Sequence, residues 1–165
     1  MNQIGMQEFS GKRVWVIGAS SGIGEACAIA LFAAGASVAL SGRRLQNLQA
    51  VAQHAKSNQS LILPLDVTDP KAIQEAYQNL MQEWGRLDLL LFVSGIYIPL
   101  RADNFEIESA EKTINANVLG PMRAVAAVLP NMLKHHSGHI AIVGSVAGYS
   151  CLLYTSPSPR DRQKS

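Results

Sequence analysis

A glycine-rich segment directly follows the first apolar run of the chain and has the residue types that hold a phosphate. It reads Gly18-Ala19-Ser20-Ser21-Gly22-Ile23-Gly24 and opens a helix-like segment. Gly18 allows a tight turn, while Gly22 and Gly24 lack the Cβ that would keep a pyrophosphate from backbone N–H groups and the positive helix end. A plain turn is the alternative, but the position after a first strand favours nucleotide binding. The candidate contacts are Gly18, Ser20, Ser21, Gly22, Ile23 and Gly24.

Two arginines follow the second apolar run, where a nucleotide-binding fold often carries an acid. Dinucleotide enzymes that prefer NAD place an Asp or Glu about 20 residues past the glycines, where it accepts hydrogen bonds from the ribose 2′-OH. Gly42 stands at that place and is followed by Arg43 and Arg44. The planar fork of Arg43 could bind a 2′-phosphate, so the sequence favours NADP over NAD. Alternatively, the arginines only solvate the next helix, and this alternative has more weight for Arg44.

The elements that must position these residues are short apolar runs separated by longer amphipathic segments. Because the runs are continuously apolar and do not alternate, they are typical of strands buried on both faces of a parallel sheet. The predicted strands lie at residues 14–17, 38–40, 61–63, 89–93 and 140–143.

Four helical segments fill the intervals between these strands. The clearest covers residues 71–84, with Asp69 as its N-cap and Pro70 at its first position. Others are predicted at 22–34, around 45–55, and at 106–135, the last interrupted or bent near Gly120-Pro121 and Pro130. The resulting βαβαβαβαβ order predicts an α/β fold with a doubly wound parallel sheet of about five strands.

Composition excludes several other classes of protein. The 165 residues are 48% hydrophobic and 16% charged with a net charge of +2, which indicates a globular domain, and no apolar run approaches the ~20 residues of a membrane span. No secretory signal is evident, so the expected compartment is the cytoplasm. Cys27 and Cys151 have no metal-ligand spacing and suggest no disulfide framework. No basic stripe or aromatic-interleaved patch points to nucleic acid, and no metal site is expected.

The glycine spacing and several later segments, in the same order, resemble the short-chain dehydrogenase/reductase family, in its compact single-domain branch. The segments are Gly18 to Gly24 with Gly-x3-Gly-x-Gly spacing, Asp66-Val67, Ser94-Gly95, residues 114–120 with Asn117, and residues 142–148 with Ser145. The resemblance implies a Rossmann-type fold. It also implies an NADP(H)-dependent oxidoreductase that interconverts an alcohol and a ketone or aldehyde by hydride transfer.

The resemblance assigns further cofactor contacts at the ends of strands three and four. The Asp66 carboxylate would accept from the adenine amino group, with the backbone at Val67 helping to fix the ring; a helix-capping or turn acid is the alternative. Ser94 and Gly95 stand where the family commonly has Asn-Asn-Ala-Gly, and only the glycine is retained. Contact through the backbone at Ser94 and Gly95 is therefore expected.

The catalytic set implied by the resemblance is incomplete in this sequence. Asn117 aligns with an asparagine that helps hold a water in a proton relay, and Ser145 with the serine that hydrogen-bonds the substrate; a helix-surface Asn and a plain loop Ser are the alternatives. The family adds a Tyr and, four residues later, a Lys, because the alkoxide formed by hydride delivery needs a proton. This chain has Ser158 and Arg162 there, and no Tyr-x3-Lys pair anywhere.

The character of the sequence changes at residue 151. Residues 151–161 resemble one translated frame of a sequencing adapter, so we expect an NADP-binding domain at residues 1–150 and a non-native or disordered tail at 151–165. This chain would then be a catalytically incomplete fragment; the alternative is a non-catalytic nucleotide-binding or regulatory module. The family usually forms homodimers or homotetramers through its long helices, and apolar surface around residues 124–133 is expected to be exposed.

Overall fold

The computed structural model describes residues 8–100, 103 and 105–145, which form alternating strands and helices. In that part of the chain, no helix has the length and apolar character needed to cross a bilayer. The strands are β1 (Arg13–Ile17), β2 (Ser37–Ser41), β3 (Ser60–Ile62), β4 (Leu89–Phe92) and β5 (His139–Ile142). The helices are α1 (Gly22–Ala33), α2 (Leu45–Ala52), α3 (Pro70–Trp84), α4 (Ile107–Ile114) and α5 (Gly120–Lys134), with a π-helical turn (Asn115–Leu119) between α4 and α5.

The five strands form one parallel sheet in the order β3-β2-β1-β4-β5. In the central register, Val16 lies opposite Leu40 on β2 and Leu91 on β4. The strand order reverses between β1 and β4, and in open α/β sheets a ligand crevice forms at the carboxyl ends of the strands beside such a reversal. The predicted Rossmann-type doubly wound sheet is confirmed.

Each face of the sheet has its own hydrophobic core, which explains the continuously apolar strands β1 and β2. The edge strands β3 and β5 are half-buried or exposed, so the expected burial on both faces is wrong for these two strands. On one face, Trp15 and Ile17 of β1 pack with buried residues of α3 and α5. On the other, Val14 and Val16 pack with buried residues of α1 and α2. Successive side chains of a strand point to opposite faces, so a strand covered on both sides has no position for a polar residue that faces water.

Trp15 joins the first of these cores to the end of β2. Its indole Nε1 donates to Ser41 Oγ at 2.8 Å, and its ring stacks on Tyr77 with centroids 6.1 Å apart. Burial raises the pKa of Tyr77. Ser41 is fully buried, and its side chain is satisfied by this hydrogen bond.

The start of α3 agrees with the sequence prediction, whereas the long fourth segment differs from it. Asp69 Oδ1 accepts from the backbone N–H of Lys71 at 2.8 Å, and Pro70 occupies the first turn. In the fourth segment, the irregularity is the π turn before Gly120, and α5 continues through Pro130. Of the two expectations for Pro130, an interruption or a bend, the interruption is therefore wrong. Pro130 and Ala126, four residues earlier, are both exposed, so water can hydrate the carbonyl that loses its partner.

The turn between β1 and α1 lies against β4 with no room for a side chain at Gly18. Gly18 has φ +102, and a Cβ there would lie 2.6 Å from Ser94 N. A Cβ on Gly24 would overlap the Gly18 carbonyl oxygen. The backbone N–H groups of Gly18 and Ala19 donate to the Ser41 carbonyl at 2.8 and 2.9 Å. The turn is therefore held between the ends of β2 and β4.

Replacing Gly18 by alanine should destabilise the fold strongly, because it combines a positive φ with a backbone collision. We expect Gly18→Ala to lower the free energy of unfolding by roughly 3 kcal/mol, measured by urea denaturation. Gly22→Ala is the matched control, since Gly22 also has a positive φ (+60) but no atom within 4 Å of an added Cβ. Its expected cost is about 1 kcal/mol. Equal losses for the two variants would contradict the close packing of Gly18.

Candidate functional site

A cleft of about 540 Å³ opens where the carboxyl ends of β1, β2 and β4 meet. It gathers segments that are far apart in the sequence. All the predicted cofactor contacts except Gly22 line it: Gly18, Ser20, Ser21, Ile23, Gly24, Arg43, Arg44, Asp66, Val67, Ser94 and Gly95. Each of these residues follows a strand or belongs to the turn that opens α1. The convergence results from the parallel topology, which brings all strand ends to one edge.

The glycine-rich wall of the cleft is cross-linked to the segment after β2. Arg44 Nη2 donates to Ser21 Oγ at 2.7 Å and reaches Ser20 O and Oγ at 3.4 Å. Asn47 Nδ2 also donates to the Ser20 carbonyl, at 3.1 Å. The Arg44 guanidinium is thus held on the glycine turn and does more than solvate α2. This contact depends on tertiary structure and has no signal in the sequence.

Gly42 and Arg43 form the neighbouring part of the wall. A Cβ on Gly42 would lie 3.2 Å from Ser20 Oγ, so a longer side chain there would press on the glycine turn. Arg43 is exposed, and its charge contributes to lowering the pKa of Asp66. Two cations therefore border the cleft at this end, with no carboxylate at position 42.

Asp66 has a structural contact of its own in the turn after β3. Its Oδ1 accepts from the backbone N–H of Thr68 at 2.9 Å and from Thr68 Oγ1 at 2.8 Å. The backbone hydrogen bond is the main reason that the pKa of Asp66 is lowered, and the Thr68 hydroxyl and Arg43 act in the same direction against partial burial. Oδ1 of Asp66 thus has the role of a turn acid, which was the alternative interpretation of this residue. Oδ2 accepts no hydrogen bond from the residues that the structure describes.

Asn117 lies beside the cleft with both amide atoms engaged. Its Oδ1 accepts from the backbone N–H of Ile96 at 2.8 Å, and its Nδ2 donates to the Ile96 carbonyl at 2.7 Å. This pair of hydrogen bonds connects the π turn to the segment after β4, directly next to Gly95. Asn117 does not line the cleft, so its side chain acts here as a link between two walls.

Ser145 lies in the segment after β5, the strand that pairs with β4, and is exposed. It does not line the cleft. The residues that the resemblance aligns with the missing Tyr and Lys, Ser158 and Arg162, lie outside the described residues, as does the whole predicted tail. The structure therefore places Asn117 beside the cleft and Ser145 in the segment that follows the adjacent strand.

Several residues that line the cleft were not predicted from the sequence. They are Gly42, Leu65, Thr68, Val93, Ile96, Lys112, Asn115 and Ala116. Most are neighbours of predicted contacts. Three of them come from α4 and the π turn, namely Lys112, Asn115 and Ala116. For Asn115, the one signal in the sequence was its position two residues before the predicted site residue Asn117. Across residues 8–100, 103 and 105–145, no cluster of His, Cys, Asp and Glu is suited to a metal ion.

The sequence matches a known family over most of its length. The family model described as short chain dehydrogenase covers residues 12–156. The chain belongs to the short-chain dehydrogenase family. The parallel sheet order and the cleft at the strand ends agree with this family assignment.

Individual relatives agree with this family assignment. An uncharacterised oxidoreductase of Staphylococcus aureus is 34% identical over 134 residues, which are 81% of this chain and 58% of the relative. Dehydrogenase/reductase SDR family member 7 of Mus musculus is 35% identical over 149 residues, 87% of this chain and 44% of the relative. The solved structure of ElxO with NADP bound has a TM-score of 0.79 at 26% identity and covers 87% of this chain and 59% of its own. The chain thus spans about half the length of these relatives.

The turn around Asp66 should make the stability of this dehydrogenase chain depend on acid pH. Because the folded-state pKa of Asp66 lies below its ordinary value of 3.8, the stabilisation is complete above that value and is lost as the pH falls through the folded-state pKa. Asp66→Asn should therefore lower the urea midpoint near neutral pH, and its difference from wild type should shrink as the pH falls below 3.8.

Thr68→Val is the matched control for that measurement. It removes the hydroxyl donor but keeps the backbone N–H that contributes most to the lowered pKa of Asp66. We expect Thr68→Val to retain most of the acid dependence seen in wild type. A difference between Asp66→Asn and wild type that stays constant across this pH range would contradict the stabilising turn.

Proposed function

We propose that this chain forms the NADP(H)-binding part of a dehydrogenase that interconverts an alcohol and a ketone or aldehyde by hydride transfer. The observation that carries the proposal is the single cleft in which the glycine turn meets Arg43 and Arg44 and in which no acid stands at position 42. A small carbonyl or alcohol compound is the proposed substrate, and the cytoplasm is the proposed compartment, in keeping with a cysteine content that suggests no disulfide framework.

The residues of the cleft fit a dinucleotide. Gly18 and Gly24 leave no space for a Cβ, which brings backbone N–H groups to the surface at the amino end of α1, where a pyrophosphate is stabilised. Arg44, on Ser20 and Ser21, and Arg43, near Asp66, supply cationic donors at the end where the adenosine ribose would lie. The similar protein ElxO has NADP bound in its own structure.

The bound cofactor would supply the hydride, and the chain's residues would position the reacting groups. We propose that Asp66 and Val67 hold the adenine, and that Ser94 and Gly95 contact the cofactor through their backbone. Ser145 is the proposed hydrogen-bond donor to the substrate oxygen. Asn117 is proposed to serve the site by fixing the segment after β4, since both its amide atoms bond Ile96.

No Tyr-x3-Lys pair is present in the 165 residues, so this sequence has no candidate for the proton donor that the reaction needs. We therefore propose that the chain as given binds cofactor without turnover and that its NADP-binding domain comprises residues 1–150, with residues 151–165 as a non-native or disordered tail. A non-catalytic regulatory module is the second candidate. Both bind NADPH; turnover by a gene product that includes the Tyr/Lys helix is the outcome that separates them.

The preference for NADP should depend on Arg43. Arg43→Ala should weaken NADPH binding by about tenfold or more and leave NADH binding nearly unchanged, because only NADPH has the 2′-phosphate. Fluorescence or calorimetric titration of both cofactors measures this ratio. Lys71→Ala, which removes an exposed cation at the start of α3, is the control and should affect neither cofactor. Equal losses for both cofactors in Arg43→Ala would overturn the assignment.

An exposed apolar stripe along α4, the π turn and α5 supports a homo-oligomer of the whole dehydrogenase. Six large apolar side chains recur there at helical spacing. They are Ile107, Ile114, Val118, Met122, Leu129 and Leu133, with Met122 61% and Leu133 63% exposed. The sequence-based expectation of exposed surface at residues 124–133 holds for Leu129 and Leu133; Ala124, Val128 and Met132 instead pack on the sheet. We propose that the stripe is the contact between subunits.

Charged residues on this stripe should prevent association. We expect the chain to sediment as a dimer or tetramer at micromolar concentration and the double variant Met122→Lys/Leu133→Lys to sediment as a monomer, because buried apolar area drives such contacts. Gln78→Lys, on the exposed face of α3, is the control. A wild-type chain that is monomeric under these conditions would contradict the proposed interface.

A further inference from the structure

Arg123 joins the π turn to the loop after β3. Its Nη1 donates to Asn115 Oδ1 at 2.7 Å and reaches the carbonyl oxygens of Val67 and Thr68 at 3.4 and 3.3 Å. Arg123 is half-buried and has no carboxylate partner within the described ranges. Neutral oxygens alone hold it. One guanidinium nitrogen therefore sets the position of Asn115 relative to the backbone of residues 67 and 68.

The contact with Arg123 decides which way the Asn115 amide faces. A guanidinium has only donors, so the amide atom that it meets must be the oxygen. The other amide atom, Nδ2, carries two N–H donors and has no acceptor among the residues that the structure describes. Asn115 is half-buried and lines the cleft. The wall formed by the π turn thus offers hydrogen-bond donors to whatever occupies this end of the cleft.

We propose that Asn115 is a base-recognition residue whose Nδ2 donates to a ring nitrogen of the adenine, and that Arg123 is the positioning residue that orients it. This inference rests on the proposed binding of NADP(H). Because Asn115 Oδ1 and the carbonyls of Val67 and Thr68 accept from the same nitrogen, Asn115 lies beside the segment proposed to hold the adenine. Asp66 Oδ2 supplies an acceptor and Asn115 Nδ2 a donor, the complement of adenine's amino group and ring nitrogens.

Two substitutions of Asn115 separate recognition from structure. Asn115→Asp keeps an acceptor for Arg123 but has no amide donor, whereas Asn115→Leu, similar in size, loses both. Each should weaken binding of NADPH and of 2′,5′-ADP, which carries the adenosine half alone, by about tenfold. Binding of reduced nicotinamide mononucleotide, the other half, should be unchanged. Calorimetric titration measures all three ligands on the full chain.

The added charge of Asn115→Asp is controlled in two ways. Asn79→Asp makes the same amide-to-carboxylate change on the exposed face of α3 and should leave all affinities unchanged. Repeating the titrations at about 1 M NaCl, where the Debye length is ~3 Å, reduces repulsion between the carboxylate and the phosphates. The tenfold loss from the missing donor should persist there.

The role of Arg123 is tested by coupling. Arg123→Ala should lower 2′,5′-ADP affinity about threefold to tenfold, Arg123→Lys should restore most of it, and adding Asn115→Asp to Arg123→Ala should cost less than Asn115→Asp alone. Wild-type affinity in Asn115→Asp, or full additivity in the double variant, would overturn the inference while leaving the proposed function intact. A wild-type chain that binds neither NADPH nor 2′,5′-ADP would overturn both.

Discussion

The backbone of Gly18 passes so close to Ser94 that the glycine turn, the end of β4 and the start of α1 fix one another's positions. A single Cβ would collide with the Ser94 nitrogen, and a Cβ on Gly24 would overlap the Gly18 carbonyl. The Ser41 carbonyl, which accepts from Gly18 and Ala19, adds the end of β2 to this arrangement. The glycine-rich wall of the cleft depends on these contacts, because the glycine turn lies between the two strand ends that border it.

The hydrophobic core of the sheet is connected to these contacts through Trp15 and Ser41. Trp15 is fully buried on one face, and its hydrogen bond to Ser41 ties the first strand to the residue whose carbonyl holds the glycine turn. A buried donor without an acceptor costs about 1–3 kcal/mol, so this contact is strongly favoured once Trp15 is inside. Ser41, at the end of β2, therefore contacts both the hydrophobic core and the glycine turn that borders the cleft.

The opposite wall is set by longer-range contacts, with the π turn at its centre. Asn117 bonds the backbone of Ile96, Asn115 is held by Arg123, and Gly120 lies against Val67 and Phe92. A π turn projects its side chains differently from the α-helices on either side, and such turns are frequent at functional sites. Here the turn directs two asparagines of one short segment to two different partners, one after β4 and one on α5.

Most of the fold and much of the candidate site could be predicted from the sequence, because both depend on local patterns. Continuous apolar runs predicted the five strands, although the edge strands β3 and β5 are not buried as expected. Asp69 with Pro70 marked the start of α3. The glycine spacing predicted the turn, and parallel topology then placed the predicted cofactor contacts, Gly22 excepted, around one cleft. The sequence predicted an interruption or a bend at Pro130, and α5 is not interrupted there. The carbonyl that loses its partner lies at an exposed position where water can hydrate it, and exposure is a tertiary property.

By itself, the sequence determined the parallel sheet, the glycine turn, the absence of an acid at position 42 and the absence of a Tyr-x3-Lys pair, because each is a statement about residue types at fixed spacing. Only the tertiary structure decided that Arg44 rests on Ser20 and Ser21, and that Asn115 lines the cleft while Arg123 holds its amide oxygen. Arg44 meets Ser20 and Ser21, 24 and 23 positions away in the chain, whereas Asn115 meets Arg123 eight positions away, across a π turn that the sequence did not predict. Which hydrogen-bond partner such a side chain takes is set by the packing of whole elements, whose relative positions no short segment encodes.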